Sequence, residues 1–180
     1  KTIANIADSL AFMATAGDRL PIGKALPIAE DLIARLSQIP GTRRLEYAGS
    51  LRRGRETIGD IDLLAVTDDP TALAEAFTGG PDVAKVLAQG DTKCSIRLER
   101  GVQIDLRMVE EDSFGATLMY FTGSKEHNVA LRERAIAANQ RLNEYGLFPD
   151  DGGSGSPQSR GVKPIAAATE AEIYEALGLP

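Results

Sequence analysis

The sequence predicts an α+β fold in one or two small domains, on three observations. Several short runs of β-branched and apolar residues, bounded by Gly, Pro, Asp or Asn, have the length and pattern of strands. Around them apolar residues recur at helical spacing, most clearly Leu26, Ile28, Ala29, Leu32, Ile33 and Leu36. The 180 residues are 43% apolar, enough to build a core.

Residues 3–16 are Ala-rich and helix-compatible, with Gly17 to end the helix, and Arg19-Leu20-Pro21 follows as an extended approach. The periodicity over 22–39 predicts an amphipathic helix, stopped by Pro40-Gly41. A short strand over 45–48 feeds Gly49-Ser50, a short helix or turn covers 51–56, and 60–66 is a largely buried strand. Residues 70–77 read as a helix, with Asp68-Asp69 at the positive end of its dipole as caps rather than ligands. Strands follow over 83–87, 92–99 and 102–109, the last two joined by a tight turn at Arg100-Gly101. A helix over 114–121 breaks at Thr122-Gly123-Ser124. A second runs over 125–139, with Val129, Leu131, Ala135 and Ile136 on its apolar side. Residues 149–160 form a Gly- and Ser-rich loop, and Thr169-Glu170-Ala171-Glu172 opens a final helix.

The chemistry concentrates between Gly49 and Leu64. In the strand that begins Asp60-Ile61-Asp62, side chains alternate faces, so the two carboxylates point the same way, about 6 to 7 Å apart. Two carboxylates that close repel unless a cation or proton joins them. Hard divalent ions take such oxygens and commonly share their shell with substrate phosphates. Just upstream, Gly49-Ser50 offers a turn with a hydroxyl and backbone N–H groups, followed by Arg52, Arg53 and Arg55. Acids for metal beside a turn with arginines for phosphate point to a nucleotide-handling enzyme. Asp105 interrupts another apolar strand, where a carboxylate needs a cation or donors; Arg107, on the same face, is the simplest structural partner.

Composition excludes other chemistries. One cysteine, Cys94, rules out an internal disulfide or a cysteine-rich zinc module, and one histidine, His127, argues against a histidine-built metal site. No apolar run approaches the roughly 18 residues of a membrane span, and a soluble cytoplasmic protein is expected. The net charge of −6 is unfavourable for DNA binding, but Arg43 to Arg55 and Arg132 to Arg141 are locally basic.

The string Gly-Ser-Leu-Arg-Arg-Gly, followed by Thr-Ile-Gly-Asp-Ile-Asp-Leu-Leu, resembles the signature of the nucleotidyltransferase superfamily related to DNA polymerase beta, and within it the family X DNA polymerases. Tyr120-Phe121-Thr122-Gly123-Ser124, followed by Asn128 and Arg132, is similar to the same family, as is Leu142-Asn143-Glu144-Tyr145-Gly146-Leu147-Phe148. The resemblance is closest to the bacterial and archaeal-type branch. It implies the end of an upstream helical region over 1–18 and a catalytic palm over 19–110, a mixed β-sheet with helices on one side. A small α/β nucleotide-selecting subdomain, called thumb or fingers, would cover 111–180.

By that resemblance Asp60, Asp62 and Asp105 are the catalytic metal ligands, for two Mg²⁺ or Mn²⁺ ions. Arg19, Ser50 and Arg53 match residues on the β and γ phosphates, and Gly49 and Gly59 match glycines near the triphosphate. Tyr120, Phe121 and Gly123 match the segment against the sugar, and Asn128 a contact to the incoming base. Lys93 and Arg132 match DNA contacts, while Arg107 and Glu144 match partners that exchange as the subdomain closes. Gln103 stands where animal members carry an arginine, Lys125 where they carry an aspartate and Val129 where they carry a lysine. The implied activity is a metal-dependent DNA polymerase core, filling short gaps in repair. Its partners would be gapped or primed DNA and dNTP, with no membrane, as a monomer in the cytoplasm at the bacterial nucleoid. Nothing before Arg19 resembles the lyase region of relatives, and a single histidine excludes their nuclease domain from these residues. Nucleotide transfer to tRNA, a protein or a small molecule, and a non-catalytic DNA-binding scaffold, are the rival readings.

Overall fold

The structure, a computed structural model, describes residues 19–180, so the helix expected over 3–16 lies outside the described residues. In chain order the elements are β1 (Leu20–Pro21), α1 (Ile22–Leu36), β2 (Thr42–Tyr47), α2 (Gly49–Arg52), β3 (Thr57–Ile58) and β4 (Asp60–Thr67). Then come α3 (Pro70–Thr78), β5 (Val83–Gln89), β6 (Lys93–Leu98) and β7 (Gln103–Met108). Last are α4 (Phe114–Thr122), α5 (Lys125–Ala137), β8 (Gln140–Asn143), β9 (Gly146–Pro149) and α6 (Glu170–Ala176). The helix starts follow local chemistry: Asp69 accepts from the Ala72 N–H at 2.9 Å, and Thr169 accepts from the Glu172 N–H at 3.2 Å.

Five strands make one mixed sheet in the order β2-β4-β7-β6-β5. β4 and β7 run parallel, and every other neighbouring pair is antiparallel. The extended approach at Leu20-Pro21 pairs with β3 outside this sheet.

Period-two alternation sorts the sheet into two unlike faces. Ile61, Leu63 and Ala65 of β4, with Ile104 and Leu106 of β7, are fully buried against Ala25, Ala29 and Leu32 of α1 and Leu73 and Phe77 of α3. Burial of each large aliphatic chain contributes about 1.5 to 3 kcal/mol, so this face holds the sheet to its helices. The residues between them, Asp60, Asp62, Gln103, Asp105 and Arg107, together with Lys93, Ser95 and Arg97 of β6, alternate onto the other face. Farther along that face, Leu64 and Val66 of β4 are covered by Phe114 and Leu118 of α4, with Ala48. The acids therefore stand where the cover ends.

A further core joins Ala116 and Met119 of α4, Leu131 and Ala135 of α5, Leu142, Leu147 and Ile173. Two features here differ from expectation. Residues 140–149, read only as a motif, form the antiparallel β8–β9 pair. On α5 only Leu131 and Ala135 are buried, whereas Val129 and Ile136 are 38% and 69% exposed. Residues four apart share a helix face, and Ile136 is turned about 100° from Ala135, so the apolar stripe is narrower than expected.

Candidate active site

The parallel β4–β7 register sets Asp62 directly opposite Asp105 and Asp60 opposite Gln103. On the other side of β7, Ser95 of β6 lies opposite Asp105. A locally acidic strand pair is thus joined by register, not by closeness in sequence. The two facing acids have opposite environments. Burial pushes the Asp62 carboxyl up to about 6, with the charges of Asp60 and Asp105 adding to the effect against Arg107 and Lys93. Burial also acts to raise Asp105, but hydrogen bonds from Lys93, Gln103 and Ser95 outweigh it and hold Asp105 below the usual carboxylate range. Lys93 Nζ lies 2.7 Å from Asp105 Oδ2, and Gln103 Nε2 donates to Oδ1 at 3.0 Å.

Asp105 therefore takes its cation from β6. Arg107, the partner that spacing alone favoured, instead lays its guanidinium over the Phe121 ring, 4.2 Å from the centroid. The main chain of its expected exchange partner is anchored to α4, the Glu144 carbonyl accepting from Thr117 Oγ1 at 2.8 Å.

The Gly49-Ser50 turn follows β2 and leans on Asp62. The Ala48 N–H donates to the Asp62 carbonyl at 2.8 Å, and Gly49 has φ +61°. A Cβ at Gly49 would lie 2.3 Å from Asp62 Oδ2. The glycine is therefore what lets this carboxylate sit against the turn. Ser50 and Arg53 line a cavity of about 550 Å³ together with Arg19, Arg55, Glu56 and Thr57. Arg19 is placed there by Thr57, donating to its hydroxyl at 2.9 Å and its carbonyl at 2.7 Å. At Gly59 a Cβ would come within 3.1 Å of Arg19 Nη1. A larger groove of about 780 Å³ runs between α1 and the β5–β6 end, but none of the acids lines it.

The α4–α5 corner faces this turn. Tyr120 and Phe121 meet edge to face with centroids 5.2 Å apart, and Gly123 leaves α4 at φ +68°. Arg53 Nη1 donates to the Thr122 carbonyl. Asn128 Nδ2 donates to the Tyr120 carbonyl at 2.7 Å, leaving its buried Oδ1 without a partner, and Arg132 Nε donates to the Asn128 carbonyl at 3.2 Å. Sequence reasoning missed one contributor here and misassigned another. Ser95 could have been found from the Lys93, Ser95, Arg97 alternation of β6. Arg52, grouped by sequence with Arg53 and Arg55 as an arginine for phosphate, instead donates to both oxygens of Glu170 at 2.7 and 2.6 Å, and to Thr122 Oγ1 at 2.9 Å, fastening α2 to α6 and α4. Arg52→Ala is expected to lower stability by about 1 to 2 kcal/mol in urea unfolding, the range for a partly exposed bidentate pair.

The donor set fits hard divalent cations. Asp60, Asp62 and Asp105 offer only carboxylate oxygens on one face, and burial together with the two neighbouring acids already raises Asp62, a condition that a bound cation would relieve. Among the described residues no three metal-binding side chains form a ready-made cluster, in keeping with the commitment of Asp105 to Lys93.

The family described as DNA polymerase beta thumb matches residues 117–180. The chain is 39% identical to the DNA polymerase/3'-5' exonuclease PolX of Bacillus subtilis (strain 168) over 165 residues, covering 91% of this chain and 27% of that protein. It is 25% identical over 146 residues to the Repair DNA polymerase X of African swine fever virus (isolate Tick/Malawi/Lil 20-1/1983), covering 76% and 77% of the two chains. It is 26% identical over 176 residues to DNA polymerase lambda of Arabidopsis thaliana, covering 84% of this chain and 33% of that one. The chain thus spans about a quarter of the Bacillus relative's length and a third of the plant one's. With its C-terminal portion matching the polymerase beta thumb and 39% identity to a bacterial PolX across 165 residues, the chain belongs to the family X DNA polymerases.

Proposed function

We propose that this chain is the polymerising core of a DNA-directed DNA polymerase, transferring a nucleotide from dNTP to a primer 3′-hydroxyl, with short gaps in repair as its substrate. The observation that carries this is the register of Asp62 against Asp105, with Asp60 on the same face and the Gly49-Ser50 turn against it. The names of its relatives, which include repair polymerases, support the same reading. Residues 19–110 serve as the palm and 111–180 as the nucleotide-selecting subdomain.

Asp60, Asp62 and Asp105 would hold two Mg²⁺ or Mn²⁺ ions, which supply charge neutralisation and lower the pKa of the attacking hydroxyl. Phosphoryl transfer is mostly positioning and electrostatics, so the other residues act by binding and orienting. Arg19, Ser50 and Arg53 receive the triphosphate, and Gly49 and Gly59 keep the backbone open to it. Tyr120, Phe121 and Gly123 form the wall against the sugar, and Asn128, anchored to the Tyr120 carbonyl, contacts the incoming base. Arg132 and Lys93 contact DNA, while Arg107 leaves Phe121 for Glu144 on closing. The chain works as a monomer on DNA in the cytoplasm. Among the described residues no helix is long and apolar enough to cross a membrane.

Incorporation of dNTP into a one-nucleotide gap with Mg²⁺ or Mn²⁺ tests this directly. Arg53→Ala should raise the KM for dNTP by roughly tenfold or more, the scale of one charge-assisted phosphate contact. Absence of incorporation by the intact chain under any divalent ion would remove the polymerase reading.

A further inference from the structure

We propose that Lys93 is a placeholder cation: its ammonium holds Asp105 in the metal-free protein and must leave before a divalent ion can take that carboxylate. The inference rests on the reading of Asp105 as a metal ligand.

Both Asp105 oxygens are already engaged, Oδ2 by Lys93 Nζ at 2.7 Å and Oδ1 by Gln103 Nε2 at 3.0 Å. The lysine is not the register partner of Asp105. It lies opposite Arg107, and Ser95 lies opposite Asp105, so the side chain leans along the strand to make the contact. Its geometry suits a removable partner. The Asp105 side chain is 13% exposed, but that of Lys93 is 39% exposed on a flexible four-carbon stem, so the ammonium can swing to solvent without disturbing the sheet. A compact monovalent cation at contact distance uses the lone pairs that a divalent ion requires, and repels that ion as it approaches. Gln103 is neutral, so it orients the carboxylate without competing for the metal. Leaving Asp105 also frees the Lys93 ammonium for the DNA contact proposed above.

Mn²⁺ binding to the nucleotide-free chain, followed by electron paramagnetic resonance of the free ion, tests this without turnover. Lys93→Met keeps the stem and removes the charge; it should tighten Mn²⁺ binding by roughly tenfold, the scale of removing one nearby like charge. Lys93→Arg keeps the charge and should stay within about threefold of the wild type, which separates competition from a structural role. In an Asp105→Asn background Lys93→Met should change binding by less than about twofold, because the lysine acts through that aspartate. Unchanged or weaker binding in Lys93→Met overturns the proposal, as does the same gain with Asp105 replaced. If Asp62→Asn leaves Mn²⁺ binding unaltered, the active-site reading fails and this inference with it. If Asp62→Asn abolishes binding while Lys93→Met leaves it unaltered, this inference alone fails.

Discussion

Asp62→Asn is expected to abolish nucleotide incorporation, by at least about 10³-fold, while making the metal-free protein more stable. The loss is what the proposed role of Asp62 in holding the catalytic ions requires. The gain follows from the environment of Asp62, whose carboxyl is pushed by burial, and by Asp60 and Asp105, from 3.8 to about 6. Between those two values the folded chain binds more protons than the unfolded one. Stability therefore falls as pH rises through that window, and the cost stays in place above it. At neutral pH it is on the order of 3 kcal/mol. Asparagine fills nearly the same space without the charge, so thermal melting of metal-free Asp62→Asn should exceed wild type by several degrees at pH 7.5 and match it near pH 4. Saturating Mn²⁺ should raise the wild type more than the variant. Asp105 has the opposite sign. Its carboxyl is held low by its hydrogen bonds despite burial, so its contribution is present above the ordinary carboxylate range and is lost as pH falls. Asp105→Asn should thus destabilise the metal-free chain where Asp62→Asn stabilises it. A destabilised Asp62→Asn at pH 7.5 would show that the crowding read from the structure is absent.

What could be read in the sequence was local. The β4 run, its Asp60-Asp62 spacing and the Gly49-Ser50 turn are legible because strand alternation and glycine chemistry act over a few residues. That Asp105 joins Asp62 was legible only through the family resemblance, because register between β4 and β7 is set by the shared apolar face of Ile61, Leu63, Ile104 and Leu106, packed on α1 and α3. The partner of Asp105 was equally hidden: spacing offered Arg107 on the same strand, whereas the structure supplies Lys93 from the next one. The β8–β9 pair is not legible as strands, because each is only four residues long and too short for an alternating pattern to stand out. On α5 the mean pattern placed Ile136 inside, and only packing against β8 and the final helix decides which stripe is covered. The Arg52 to Glu170 tie joins residues distant in the chain, for which no periodicity speaks.

Gly49→Ala should cost activity far more than stability, and the comparison with Gly101→Ala separates the two. Both glycines have left-handed backbones, φ +61° and +83°, so an alanine at either meets a similar strain of about 1 kcal/mol. At Gly101, in the β6–β7 turn, an added Cβ has no heavy atom within 4 Å and the strain is the whole effect. At Gly49 the Cβ would lie 2.3 Å from Asp62 Oδ2 and 3.3 Å from its Cγ. The atom in the way is the end of a short side chain rather than backbone, so the fold yields by turning the carboxylate aside. Urea unfolding should therefore register about 1 to 2 kcal/mol for Gly49→Ala, little more than for Gly101→Ala. Incorporation should fall by about 10²-fold or more for Gly49→Ala, since a ligand displaced by an ångström no longer meets its ion. Equal incorporation by the two variants would mean that contact between the turn and Asp62 does not position the carboxylate for chemistry.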